Sequence, residues 1–137
     1  MKNFFLYIVA MTVLLYINFY NRRLVKKKGK LEGYDRSQAL AIDVFAGRNY
    51  RSLWNTTLIK PEGYKFGVDG ETMSSCLGKN EVDGTLTTQP HPDMPKWFYG
   101  TNLSKILDKA FSEKNHCFNA IDVTKGNWSG NIKTIQT

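Results

Sequence analysis

Two histidines and two cysteines are the side chains of this sequence that could bind a soft metal or supply a nucleophile. They are Cys76, His91, His116 and Cys117. All four could bind zinc, but none has the CxxC or HxxxH spacing that is typical of such a site. A Cys–His nucleophile would need an imidazole within hydrogen-bonding distance of a thiol. The pattern favours a structural interpretation, with Cys117 buried as a small apolar group and His116 hydrogen-bonded at a helix end.

Acidic and hydroxyl side chains form a second group, in the segment 69–75. An aspartate at the cap, an acid in the first turn and hydroxyls beside the backbone are typical of the start of a short helix. The other interpretation is a polar surface that contacts a partner protein. Its six candidate residues are Asp69, Glu71, Ser74, Ser75, His116 and Cys117. The sequence contains no phosphate-binding glycine loop or nucleotide signature, and it predicts no cofactor.

The positive charge of the chain is confined to its N-terminus. The 137 residues carry a net charge of +7, with 19 basic and 12 acidic side chains. Residues 1–30 hold seven of the basic residues and no acid, so residues 31–137 hold 12 of each and have no net charge. A nucleic-acid-binding domain needs a basic face of its own. The balance therefore argues against nucleic acid as a partner.

An apolar run without charge, proline or glycine occupies residues 4–20. As a helix it would be about 25 Å long, at the short end for a hydrocarbon core of roughly 30 Å, and Leu24 and Val25 could extend it. A cleaved signal peptide is the competing interpretation, because Lys2 supplies a positive start. However, the run ends in Ile-Asn-Phe-Tyr and lacks the small residues of a cleavage site. A retained signal-anchor helix is favoured over a cleaved, secreted small domain.

A basic collar follows this run and predicts the orientation of the chain. The collar consists of Arg22, Arg23, Lys26, Lys27, Lys28 and Lys30. Because basic flanks stay on the cytoplasmic side, we expect a single-pass protein with a cytoplasmic C-terminal domain. The collar should also attract anionic headgroups, by about 1 kcal/mol per residue. Cys76 and Cys117 would then be reduced thiols, whereas the opposite orientation would permit a disulfide between them.

The elements of the domain are predicted from periodicity and cap residues. A helix with apolar positions at i, i+3, i+4, i+7 and i+8 is expected from a Thr101 cap through Phe111. Shorter helices are expected over 37–46, capped by Asp35 and ended by Gly47, and over 69–78. The segment 31–34 is predicted as a linker, 48–59 as an extended or loop segment, 80–99 as a long surface loop and 64–68 as a short strand. The aromatic triplet 97–99 should pack on the core or against the bilayer interface.

These elements predict a mainly α fold, namely one N-terminal transmembrane helix and a small helical domain, or an α+β domain, with long loops. The predicted boundaries are 1–30 for the anchor and collar, 31–123 for the domain and 124–137 for a flexible tail.

Three motifs resemble those of a set of small uncharacterised phage and prophage proteins. These proteins carry an L-A-I-D helix, a D-E-T-L/I-S-S segment and a late H-C pair. The matching positions are Ile42, Asp43, Asp69, Glu71, Thr72, Ser74, Ser75, His116 and Cys117. Gly70 between the two acids and Met73 at a branched aliphatic position depart from the pattern. The resemblance implies an origin in a bacteriophage or its host, and no activity.

The sequence therefore predicts a membrane-anchored, non-enzymatic accessory protein, phage-encoded, at the host inner membrane. It would act by contact with a membrane or envelope protein. A metal- or thiol-dependent enzyme centred on His116 and Cys117 is the alternative, with a cleaved secreted domain as a further one.

Overall fold

The computed structural model describes residues 2–130, and within that range the fold is mainly helical, as predicted. Extended segments meet there only at one isolated antiparallel bridge, between Ile59 and Leu86. The six helices are α1 (Lys2–Lys27), α2 (Leu31–Asn49), α3 (Arg51–Thr57), α4 (Met73–Val82), α5 (Gly100–Ala110) and α6 (His116–Asn119). The chain divides into two compact units, Met1–Leu40 and Ala41–Thr137.

The first unit is dominated by α1, which has 26 residues and is therefore about 39 Å long. None of its described side chains is buried, although most of them are apolar. Within residues 2–130, α1 is the one helix long and apolar enough to cross a membrane, a property that it shares with signal sequences. The predicted N-terminal apolar helix is thus confirmed, including its extension through Leu24 and Val25.

Two polar contacts, which we call the α1–α2 clasp, join α1 to the start of α2. The Tyr34 hydroxyl donates to Asn18 Oδ1 at 2.5 Å, and the Arg22 guanidinium donates twice to the Asp35 carboxylate, at 2.9 and 2.8 Å. Gly29 makes the turn in the left-handed conformation that favours glycine. The predictions of a linker at 31–34 and of Asp35 as a cap are wrong, because the chain is already helical from residue 31.

Two helices, α2 and α3, cover residues for which the sequence predicted a helix end and an extended or loop segment. Helix α2 continues through Gly47, its predicted end, to Asn49. Gly47 instead allows a close approach to the backbone of Met73, because a Cβ there would be 3.2 Å from the Met73 amide nitrogen. The segment 48–59, predicted as extended or loop, contains α3. The Thr56 and Thr57 hydroxyls donate to carbonyls four residues earlier, at 2.9 and 2.7 Å, and the packing of Trp54 on the core stabilises the helix.

Helix α4 is present where a short helix was predicted, with a different cap and a later end. Its N-cap is Thr72, whose hydroxyl accepts from the Ser75 amide at 3.0 Å, whereas the predicted cap Asp69 pairs with Arg48. The helix also continues past Gly78, its predicted end, to Val82. Gly78 instead permits close packing of α4 against α6, since a Cβ there would be 2.1 Å from the Cys117 carbonyl oxygen.

The core of the second unit is small and lies between α4, α5, α6 and the loops. Its buried apolar residues are Leu58, Ile59, Phe66, Cys76, Leu77, Leu86 and Cys117. Helix α5 is confirmed and packs Leu103 and Leu107 on this core, but it begins at Gly100 without the predicted Thr101 cap. The segment 64–68 forms no strand, because the Phe66 amide donates to the Asn55 side chain at 2.8 Å. The predicted long loop is present from residue 83 to residue 99.

Candidate functional site

A buried polar cluster of Tyr64, Glu71, Ser75 and Lys79 is the most concentrated chemistry in the described chain. Lys79 projects from α4 and is completely buried. Its ammonium nitrogen lies 2.5 Å from Glu71 Oε1, the same oxygen that accepts from the Ser75 hydroxyl at 2.8 Å. The Tyr64 hydroxyl donates to the second oxygen, Oε2, at 2.8 Å. Both carboxylate oxygens of Glu71 are therefore hydrogen-bonded inside the protein.

The covering segment, residues 122–128, closes this cluster from solvent. The Lys125 carbonyl oxygen accepts from Lys79 Nζ at 2.8 Å and lies 3.2 Å from the Tyr64 hydroxyl oxygen. The Trp128 ring lies 5.8 Å from Lys79 Nζ, and its indole nitrogen donates to the Asp83 carboxylate at 2.8 Å. Burial is the largest cause that raises the pKa of Tyr64, followed by its bond to Glu71, so the phenol stays protonated.

The chemistry of this arrangement is that of a structural ion pair. Among the described residues, every buried side-chain nitrogen or oxygen has a hydrogen-bond partner. Lys79 thus offers no unpaired amine to a substrate, and Glu71 offers no unpaired oxygen. The cluster instead connects α4, the Tyr64 loop and the covering segment, which are distant in sequence. Specifying one arrangement of such elements is a known role of buried ionic groups.

The two cysteines are free and buried, and neither is activated. Burial raises the pKa of the Cys117 thiol to about 12, against a smaller opposing effect of a hydrogen bond with Ser104. Burial likewise raises the pKa of Cys76, whose sulfur donates to the Tyr64 carbonyl oxygen at 3.6 Å. Reactive cysteines have pKa values below that of a free thiol. Both side chains therefore behave as small apolar groups of the core, which is the interpretation that the sequence favoured for Cys117.

The two histidines lie in different environments. The His116 ring stacks on Phe111 at 4.1 Å, and its Nδ1 lies 3.0 Å from Glu113 Oε2, a contact that lowers the pKa of Glu113. His91 lies in the proline-rich loop, 3.5 Å from Asp93. Across residues 2–130, no three His, Cys, Asp or Glu side chains come together in a way that could hold a metal ion.

The six predicted partner-contact residues do not form one surface. Glu71, Ser74, Ser75 and Cys117 are buried, and the His116 side chain is only 17% exposed. Asp69 is the exposed member, with 79% of its side chain accessible. The structure therefore supports the helix-start interpretation for this segment, with Thr72 in the role that was predicted for Asp69. Contact with a partner through these side chains stays a prediction.

Sequence reasoning missed three members of this region, Tyr64, Lys79 and Trp128. A lysine within a helix is usually solvent-exposed, so nothing local marks Lys79 as an interior residue. Trp128 and the Lys125 carbonyl lie in the part of the chain predicted as a flexible tail, where their contacts in fact hold the covering segment in place. Residues 131–137 of that predicted tail lie outside the described residues.

The basic collar contains a shallow open pocket on α1. Tyr20, Arg23, Leu24, Lys26 and Lys27 line it. The Arg23 guanidinium also lies over the Phe19 ring, at 4.7 Å from its centroid. Cations beside aromatic rings at the end of an apolar helix are suited to the headgroup region of a bilayer. Comparison of the chain with known protein families, curated proteins and solved structures finds no match.

Proposed function

We propose that this chain is a membrane-anchored, non-enzymatic accessory protein that acts through protein–protein contact at an inner membrane. One observation carries the proposal: an apolar helix with no buried side chain, α1, belongs to the same chain as a folded unit in which Glu71, Cys76 and Cys117 are buried. An apolar helix of this length is long enough to cross a bilayer, which would cover its exposed side chains. A unit whose reactive groups are buried is suited to binding a partner protein through its exposed surface.

The proposed topology places the second unit in the cytoplasm, with α1 as a single retained span. The collar supports this orientation, because six basic residues follow the apolar run and Lys2 alone precedes it within the chain. The same collar would bind anionic headgroups. The motif resemblance at Ile42–Asp43, at the start of α4 and at His116–Cys117 leads us to propose that the protein is phage-encoded and works in the host inner membrane.

The enzyme alternative, centred on His116 and Cys117, is less well supported. A thiol with a pKa of about 12 is almost entirely protonated at neutral pH, and thiol catalysis uses the thiolate. His116 is engaged by Phe111 and Glu113. The photo-crosslinking test therefore includes variants of both residues.

The test is photo-crosslinking of the full chain in its native membrane. A photoreactive residue would replace Asp69, and Val123 would be the matched exposed control position. We expect a light-dependent adduct with a membrane or envelope protein from position 69, and we expect it to persist in Cys117→Ala and His116→Ala variants. The enzyme would be favoured if both variants lost the adduct and also lost an enzymatic turnover that the unsubstituted chain shows.

Membrane fractionation tests the anchor separately. We expect the chain to stay with membranes after alkaline carbonate extraction and to be cleaved by protease only when the cytoplasmic side is accessible. A mature chain that is free in solution and begins beyond Tyr20 would contradict the anchor and favour the secreted domain. Cleavage from the outer side of intact cells would contradict the orientation alone.

A further inference from the structure

The second unit exposes a continuous row of aromatic rings, which we call the aromatic row: Phe45, Tyr50, Trp54, Phe98 and Trp97. Successive ring centroids lie 5.9, 6.0, 5.9 and 5.5 Å apart, the separations of interacting aromatic pairs. The two ends and one inner member are open to solvent: Phe45 is 43% exposed, Tyr50 37% and Trp97 54%. A contiguous exposed apolar surface of this kind marks an interaction site.

The middle of the row fixes it to the core. Trp54 and Phe98 are partly buried and pack against the core cluster. The Trp54 indole also donates to the Ala46 carbonyl oxygen at 2.8 Å. The exposed rings are therefore held in place by their neighbours, so binding would require little ordering of side chains.

The two sequence segments that carry the aromatic row are rich in basic residues. The two segments that carry it, 44–54 and 95–99, contain Arg48, Arg51 and Lys96 and no acidic residue. Arg48 pairs with Asp69 from another segment, at 3.1 Å. The second unit carries 11 basic and 10 acidic residues, so the excess of basic residues in these two segments is a local feature. Exposed tryptophan and tyrosine beside cations match the headgroup region of an anionic bilayer.

We propose that the aromatic row is a second membrane contact, which lies in the headgroup region of the bilayer that α1 enters. The inference rests on the proposed anchoring, because seventeen residues separate Phe45 from the end of α1, and since most of them are helical they span at most roughly 35 Å. Tethering at this range makes the second contact intramolecular, so a weak surface affinity is sufficient. A protein partner would then bind the second unit while the aromatic row of that unit already lies against the lipid.

Tryptophan fluorescence of the full chain in vesicles tests this inference. The three tryptophans, at positions 54, 97 and 128, all lie in the second unit, so their emission reports on that unit and not on α1. The vesicles would contain phosphatidylcholine with or without phosphatidylglycerol, brominated close to the headgroups. We expect quenching that is stronger with phosphatidylglycerol. Most of the quenching should be lost in Trp97→Phe, because Trp97 has the most exposed tryptophan ring of the row.

Two variants separate lipid contact from a general loss of structure. Arg51→Gln with Lys96→Gln should reduce the effect of phosphatidylglycerol, whereas Val123→Ser, at an exposed apolar residue outside the row, should leave quenching unchanged. Absence of quenching from a chain that still resists carbonate extraction would overturn the inference and leave the anchor intact. A photo-crosslink from position 97 to protein instead of lipid would also overturn it. Quenching without carbonate resistance would support the row and contradict the anchor.

Discussion

Lys79 and Glu71 form an ion pair inside the second unit, with the ammonium nitrogen 2.5 Å from Oε1 and the side chains 0% and 3% exposed. Removing two charges from water costs free energy that their attraction only partly returns, so the pair by itself is weak evidence of stability. Its effect is on arrangement, because the same ammonium also donates to the Lys125 carbonyl oxygen and so holds the covering segment.

Removal of one partner should be far more damaging than the net value of the pair. We expect Lys79→Met to lower the free energy of unfolding by about 3–5 kcal/mol, because Glu71 would remain buried without its cation. Urea unfolding of the full chain in detergent, followed by tryptophan fluorescence, would measure the change. Combining Lys79→Met with Glu71→Gln should restore about 1–3 kcal/mol relative to the sum of the single variants. Strict additivity of the two changes would contradict the pairing.

Gly78 should tolerate no larger residue, because it is the point of closest approach between α4 and α6. A Cβ there would be 2.1 Å from the Cys117 carbonyl oxygen, and backbone cannot move aside as a side chain can. We expect Gly78→Ala to destabilise the second unit by about 3 kcal/mol or more. Gly33→Ala is the matched control, since its Cβ would meet nothing within 4 Å in a helix. That change should stabilise by up to about 1 kcal/mol, and equal effects at both sites would contradict the packing.

Because both thiols are buried, the stability of the second unit should depend on pH in the alkaline range. Cys117 has a pKa near 9.0 when unfolded and about 12 when folded, so between these values the unfolded chain holds fewer protons. The free energy of unfolding should therefore fall as pH rises, by up to about 1.4 kcal/mol per pH unit from this thiol. The pKa values of Cys76 and Tyr64 are also raised, so Cys117→Ala should reduce the slope without abolishing it.

At neutral pH the native thiols should react with a disulfide reagent only as fast as the second unit unfolds. Rapid reaction of Cys117 in the folded chain would contradict its burial.

Elements with a local signal could be predicted from the sequence, and contacts between distant segments could not. Helices α1 and α5 follow from an unbroken apolar run and from helical spacing, and the loop before Gly100 follows from three closely spaced prolines. Helix α3 was missed because β-branched threonines disfavour helices, and the packing of Trp54 on the core outweighs this preference. The Lys79–Lys125 contact joins positions 46 apart, so nothing near either residue indicates it.

The α1–α2 clasp predicts a dependence on bilayer thickness. While Asn18 is bonded to Tyr34, the apolar part of α1 that precedes this contact is residues 4–17, about 21 Å long against a core of roughly 30 Å. Each ångström of mismatch costs a fraction of a kcal/mol, so thick bilayers should open the clasp and thin bilayers should close it. We expect a short bis-maleimide to link Asn18→Cys to Tyr34→Cys, variants that keep the Arg22–Asp35 contact of the clasp, with a yield that rises as lipid acyl chains are shortened. Arg36→Cys replaces Tyr34→Cys in the control, because two residues further along a helix the side chain points about 200° away. Equal yields for both pairs, or a yield unaffected by thickness, would show that the clasp and membrane insertion are independent.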